Sequence, residues 1–283
     1  MGTVEFRSIG GSAENPAVVY IKNLEYTKTA YNVSATLLEP NLAYVKNAGY
    51  PLLQILSVKN VKTELIINHD DSNPIAVTLE PSGIAYEALV GMNEVVNLLR
   101  LGENTFTVRL TDEGKTVETS IQYENTGLLY VYENNYHTLE FAVDEETGET
   151  ILKFTETGAT DTIYNGIRSK YIAYDGYKDG GYVQNGIKYI TMEVKLSDAT
   201  GIMVSHADPY GDEEYKIWRK LNIGESSDII DDNGEQGTVV LDEWMTLKIP
   251  LSQKYPSAEW RDFYVKPMGN NGTMYIRNVK YCT

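Results

Sequence analysis

A single short strand occurs twice in this chain, once near each end. The first copy reads Tyr20-Ile21-Lys22-Asn23-Leu24-Glu25-Tyr26 and the second Tyr275-Ile276-Arg277-Asn278-Val279-Lys280-Tyr281. Tyr, Ile, Asn and the final Tyr recur in place, while Lys answers Arg, Leu answers Val and Glu answers Lys. Each copy follows a short aromatic strand, around Phe6 and around Phe263, and then a loop (Gly10, Gly11; Gly269, Asn270, Asn271, Gly272). A strand–loop–strand unit used twice, with nearly the whole chain between its copies, predicts a modular β protein. Residues 1–28 then form an N-terminal β-hairpin shaped like the end of a preceding module.

The patterning between the copies is that of strands. Apolar and polar residues alternate in short runs bounded by Gly, Asn, Asp and Pro, the signature of half-buried strands. In the clearest case Phe106, Val108 and Leu110 share one face and Thr105, Thr107 and Arg109 the other. Asp112-Glu113-Gly114-Lys115 then turns into a partner strand with Val117, Thr119, Ile121 and Tyr123. Gly114 supplies the positive φ that such a turn needs. One short helix is expected over 94–100, capped by Asn93. No long amphipathic pattern occurs, which argues against a parallel βαβ sheet. At 283 residues the chain has room for two cores. The polar turn-forming stretch at 124–127 marks a boundary. The expected division is 1–28, 29–125 and 126–283.

Residues 101–108 and the hairpin after them resemble the end of an immunoglobulin-like domain of the disulfide-free kind found in bacterial surface proteins and phage virion proteins. Three later runs, 189–196, 244–251 and 273–279, resemble strands of a jelly-roll of the galactose-binding or carbohydrate-binding-module type. These resemblances imply an all-β fold: an Ig-like β-sandwich followed by a jelly-roll β-sandwich. Such folds carry both binding and scaffolding roles, so function must be argued from a site.

Composition removes several classes of partner. A net charge of −16 argues against nucleic acid and anionic membranes as partners. The first residues form no basic, then apolar leader, and no run is long enough to span a membrane. The chain is therefore expected either to be used without Sec export or to be a segment of a longer exported protein. The single cysteine, Cys282, cannot form an intrachain disulfide. Tyrosine is over-used, with 22 Tyr against 5 Phe. A flat ring with a polar tip suits both a strand surface and a binding surface.

No catalytic residue is expected. His69, His137 and His206 lack metal-ligand spacing, and no nucleophile motif or phosphate loop occurs. Calcium favours clustered hard oxygens. Asp228, Asp231, Asp232, Asn233 and Glu235 are candidate ligands for a structural Ca2+, as are Asp175 and Asp179. The run Asp232-Asn233-Gly234 reads equally as a hairpin tip. For a glycan the useful groups are exposed rings beside planar polar groups. Strand parity puts Trp218 with Lys220 and Asn222 on the more polar face of its strand, although Arg219 breaks the pattern on the other side. Trp244 lies opposite in phase to Met245, Leu247 and Ile249. Tyr174, Tyr177 and Tyr182 crowd a glycine-rich loop. The candidate ligand-binding set is thus Trp218, Lys220, Tyr174, Tyr177, Tyr182 and Trp244. The expected role is non-enzymatic: a phage virion appendage of tail, baseplate or capsid, with other virion or surface-protein subunits and a cell-surface glycan as partners. The alternative is an extracellular glycan-binding accessory module of a secreted bacterial surface or polysaccharide-degrading protein.

Overall fold

The computed structural model describes residues 33–37, 51–83, 85–131, 137–157, 166–169, 187–206, 217–250 and 263–283. The expected hairpin at 1–28 lies outside them. The described chain is almost entirely strand, and every ladder in it is antiparallel.

The first part comprises β1 (Val33–Leu37), β2 (Pro51–Ser57), β3 (Lys62–Ile67), β4 (Ile75–Val77), β5 (Glu80–Ser82), β6 (Ala85–Gly91), α1 (Met92–Val95), β7 (Gly102–Asp112) and β8 (Lys115–Asn125). They form two four-stranded sheets, β1-β2-β6-β5 and β4-β3-β7-β8. Leu53 and Ile55 of the first sheet and Leu65, Phe106, Val108 and Leu110 of the second are buried in one apolar cluster. Each such side chain contributes about 1.5–3 kcal/mol by leaving water. Glu113 (φ 46°) and Gly114 (φ 79°) make the two-residue turn between β7 and β8, whose twist matches that of the strands.

The helix differs from expectation. It is one turn long, starts after Gly91 rather than Asn93, and the Gly91 N–H donates to the Glu94 carboxylate at 3.0 Å. The Leu98 N–H already donates to the Val95 carbonyl in a tightened last turn, and the expected end at 100 is not reached because backbone groups there bond elsewhere. The Asn104 amide is fully buried and donates to the carbonyls of Arg100 and Gly102, while its oxygen accepts from the Arg100 N–H and from Asn68. A side chain that takes the backbone groups of 100–102 leaves them unavailable to a continuing helix.

The second part comprises β9 (Leu129–Tyr130), β10 (His137–Val143), β11 (Thr150–Glu156), β12 (Arg168–Ser169), β13 (Tyr189–Ser197), β14 (Gly201–His206), β15 (Ile217–Asn222), β16 (Ser226–Asp232), β17 (Glu235–Thr238), β18 (Trp244–Pro250), β19 (Phe263–Met268) and β20 (Thr273–Cys282). A seven-stranded sheet runs β10-β11-β20-β13-β18-β16-β17 and a three-stranded sheet β15-β14-β19, with β12 paired to β9. Among the described residues no ladder joins a strand before Asn125 to one after it. Ile190, Met192, Val194, Leu196, Leu247 and Ile276 from the larger sheet share a core with Ile202, Val204 and Val265 from the smaller.

The second copy of the repeat is not a hairpin. β19 and β20 belong to different sheets, so the Gly/Asn loop between them arches across the core. Within β20, Asn278 (φ 51°) forms a β-bulge where the register against β13 shifts. Asn tolerates that left-handed conformation better than most residues. Past the bulge, Tyr281 exchanges two hydrogen bonds between its backbone and the Asn97 side chain, at 2.8 and 3.0 Å. Its hydroxyl donates to the Gly127 carbonyl and meets Ser169 Oγ at 2.6 Å. Gly127 (φ 64°) approaches Leu101 and Val279 so closely that an added Cβ would lie 3.2 Å from each. β20 therefore ties the strands on both sides of the 124–127 stretch to one another.

Candidate functional site

Alternation along β13 sends Ile190, Met192, Val194 and Leu196 inward, leaving Tyr189, Thr191, Glu193, Lys195 and Ser197 on the outer face. Cross-strand neighbours on that face form rows. One runs Glu140–Lys153–Tyr275–Lys195–Trp244 across five strands. At strand spacings of about 4.8 Å it is about 19 Å long. The next runs Arg277–Glu193–Thr246–Asp231.

The rings and cations of these rows interleave. Lys195 Nζ lies 5.2 Å from the centre of the Trp244 ring and 5.4 Å from that of Tyr275, within cation–π range of both. The Arg277 guanidinium carbon stands 4.1 Å from the Trp244 centroid. Arg277 is held there by Glu193 at 2.6 Å and Asp144 at 3.0 Å, and Asn278 donates to the other Glu193 oxygen. The backbone N–H of Glu146 is the chief reason the Asp144 carboxyl titrates below its ordinary value, helped by the N–H of Thr147 and the charges of Arg277 and Lys195. The Trp244 indole N–H is buried and, among the described residues, has no acceptor. A cleft of about 420 Å³ opens on this face, lined by Lys153, Lys195, Ser197, Tyr275, Asp144 and Asp242 among others.

The smaller sheet is built differently. Trp218 stands opposite Ser205 in the ladder and Lys220 opposite Met203, with Tyr264 and Lys266 next across on β19. Met203, Ser205, Tyr264 and Lys266 are all buried, whereas Lys220 is exposed. Lys266 Nζ meets Glu156 Oε1 at 2.9 Å, both side chains being 3% exposed. Glu156 Oε2 has no hydrogen-bond partner. Arg168 donates to the Tyr264 hydroxyl at 2.8 Å. These interior charges are neutralised within the protein rather than offered to a ligand.

The sequence candidates thus fall on separate sheets. Trp244 belongs to the seven-stranded sheet, its ring already covered on one side by Arg277; Trp218 and Lys220 belong to the three-stranded sheet. Tyr174, Tyr177 and Tyr182 lie outside the described residues, as do Asp175 and Asp179. The 228–235 acids sit on the β16–β17 hairpin, whose turn is Asn233 (φ 54°) and Gly234 (φ 91°). Asp232 accepts from Asn233 there, and Asp228 lies 3.8 Å from Arg219. Among the described residues no three His, Cys, Asp or Glu side chains gather closely enough to hold a metal ion. Sequence reasoning passed over Lys153, Lys195, Tyr275 and Arg277. The period of two over 189–196 and the repeated Tyr of β20 were the signals that could have found them.

Neither the protein-family models nor the curated proteins include a match. Two solved structures that match the chain are both crystal structures of a family 30 carbohydrate-binding module. One shares 15% identity over 54% of this chain and 76% of that chain, with a TM-score of 0.28. The other shares 12% over 56% and 89%, with a TM-score of 0.27. At so loose a superposition the ladders and the outer row, not the likeness, must support any functional reading.

Proposed function

We propose that this chain is a non-catalytic glycan-binding protein whose ligand lies along the row Lys153–Tyr275–Lys195–Trp244. One observation carries the reading: the 420 Å³ cleft on the outer face has Tyr275 and Lys195 in its lining. Among the described residues Lys195 has two rings as partners and no carboxylate within 4.0 Å. The volume falls in the ordinary range of ligand sites, about 300–1,000 Å³. A sugar's C–H face would stack on Tyr275 while its hydroxyls bond Lys153, Lys195, Ser197 and Asp242. Trp244, fixed by Arg277, would wall the row rather than serve as the open platform.

The setting we favour is a virion, where many copies would turn weak single contacts into firm attachment to a host surface. The reading is tested by screening the multimerised chain against a broad glycan panel and repeating with Tyr275→Ala. Binding that falls at least about tenfold, with the melting temperature little changed, supports it. A wild-type chain that binds no glycan overturns it. Finding peptides of this chain in purified particles would support the virion setting, and their absence would remove it.

A further inference from the structure

Among the described residues β10 is an edge of the seven-stranded sheet. An edge strand presents unpaired N–H and C=O groups to any strand that can match them, and folds usually guard against this with short edges, bulges, Pro or charge. Several other described edges are guarded. β4 and β5 are three residues long, β17 is four long beside a register shift, and β8 exposes Lys115, Glu118 and Glu124. β10 has one exposed charge, Glu140, and none of the other devices. Its seven-residue ladder with β11 is regular, and His137-Thr138-Leu139-Glu140-Phe141-Ala142-Val143 contains no Pro, Gly or Lys. Phe141 is 37% exposed and Val143 64%, on the same side of the strand as the half-buried Leu139.

The strand is also complementary to itself. Antiparallel pairing with a second copy, centred on Phe141, sets Phe141 against Phe141, Leu139 against Val143 and Glu140 against Ala142. The two neighbouring registers do worse. Centring on Glu140 opposes two glutamates, and centring on Ala142 opposes Glu140 to Asp144, both destabilising. In the Phe141 register each Glu140 keeps its own counter-ion, Lys153 Nζ at 3.8 Å. Charge therefore selects the one register that also sets Leu139, Phe141 and Val143, the large apolar side chains of one face, against one another. A foreign strand would have no reason to mirror this pattern about Phe141, whereas a second copy does so by identity.

We infer that β10 is a self-association edge, through which two copies join in a symmetric dimer with one continuous fourteen-stranded sheet. The twofold axis of such a pairing is perpendicular to the sheet, so both outer rows and both 420 Å³ clefts face the same way. This pairing does not depend on the ligand reading, since it uses the main-chain groups of the strand edge, although Ala142 and Val143 also line the cleft.

Sedimentation of the wild-type chain up to about 100 µM should show conversion from monomer to dimer mass. Phe141→Lys, or Val143→Lys if the first variant does not fold, should remain monomeric throughout. The register has its own test in a Cys282→Ser background. Opposed residues of an antiparallel pair have Cα atoms about 4.5–5.5 Å apart, within disulfide reach. Phe141→Cys should therefore oxidise to a covalent dimer at least about tenfold faster than Thr138→Cys, which this register sets opposite Asp144 rather than another Cys. A wild-type chain that stays monomeric, a dimer that survives the lysine variants, or cross-linking no better at 141 than at 138 would each overturn the inference.

Discussion

Across the β7–β8 hairpin, outward polar side chains that face each other also bond each other. Thr105 meets Gln122 and Thr107 meets Ser120, each at 2.9 Å, and Arg109 meets Glu118 at 2.5 Å while reaching Asp71 at 2.6 Å. Those two carboxylates, Glu118 first, hold the Arg109 guanidinium above its ordinary value. On β20, β13 and β18 the opposed residues are instead Tyr275, Lys195 and Trp244, rings and a cation that leave hydrogen-bonding capacity unspent. Both surfaces are outer faces of antiparallel sheets with clean alternation. One closes its polar groups on themselves and has only shape to offer a ligand; the other keeps donors that a ligand's acceptors can use.

The largest expected effect lies beneath these faces. Lys266→Met leaves Glu156 charged and buried, and should cost about 3–5 kcal/mol in chemical denaturation, against much less for the double change with Glu156→Gln. A small loss for the single variant would mean that the second part tolerates an uncompensated charge and that its interior polar groups are not what holds β11 to β19. Next comes ligand affinity. Tyr275→Ala should lower glycan binding at least about tenfold, as loss of a stacking ring does, while Arg109→Ala on the self-bonded face leaves it unchanged. Equal losses from both would erase the distinction between the surfaces.

A smaller effect should appear in the pH dependence of Asp144→Asn. The folded carboxyl is depressed, so its contribution is present above the unfolded value of about 3.9 and is lost as pH falls through the lower folded value. Wild-type melting temperatures should exceed the variant's near neutral pH, and the two curves should converge in acid. Curves that stay parallel would show that the Asp144 charge does not anchor Arg277. The smallest effect is the Thr107–Ser120 coupling, about 0.2–1 kcal/mol in a double-mutant cycle. A value near zero would reduce the self-bonded face to mere proximity.

Period two was enough to read the strands at 105–110, 117–123 and 189–196, where the buried and exposed sets differ sharply in polarity, whereas those at 244–250 and 273–279 were read from their resemblance to jelly-roll strands. The one-turn helix was overcalled because Val95, Val96, Leu98 and Leu99 fit a helical stripe, while the competing bonds of Asn104 come from a residue outside the window. Asn97, Asn104 and Asn125 look like loop formers in sequence; the bonds of Asn97 to Tyr281, of Asn125 to Arg100 and of Asn104 to Asn68 span the fold and leave no local trace, while those of Asn104 to Arg100 and Gly102 are local. Trp244 was found by its phase, but its Arg277 cover arises from strand order, which alternation cannot show. The repeat is the instructive case. Its four identical positions are, in the second copy, a ring on the outer row, a core Ile, a left-handed Asn bulge and the Tyr that reaches Asn97 and Gly127. The three that vary include Arg277, whose role needs only a long cation.

β20 has a consequence for how the molecule assembles in time. It lies between β11 and β13, and its partners include Leu152 for Ile276 and Lys195 for Tyr275. The middle of the largest sheet thus depends on chain closure across long stretches of sequence, whose entropy must be lost before the contacts repay it. The β7–β8 hairpin, closed by two residues, carries no such delay. Refolding should therefore be biphasic, with the first part acquiring amide protection early and β11, β13 and β20 together and late. During that interval β10 and its apolar edge wait without the strand that anchors their own partner, so the slow phase is when the chain is most exposed to mispairing.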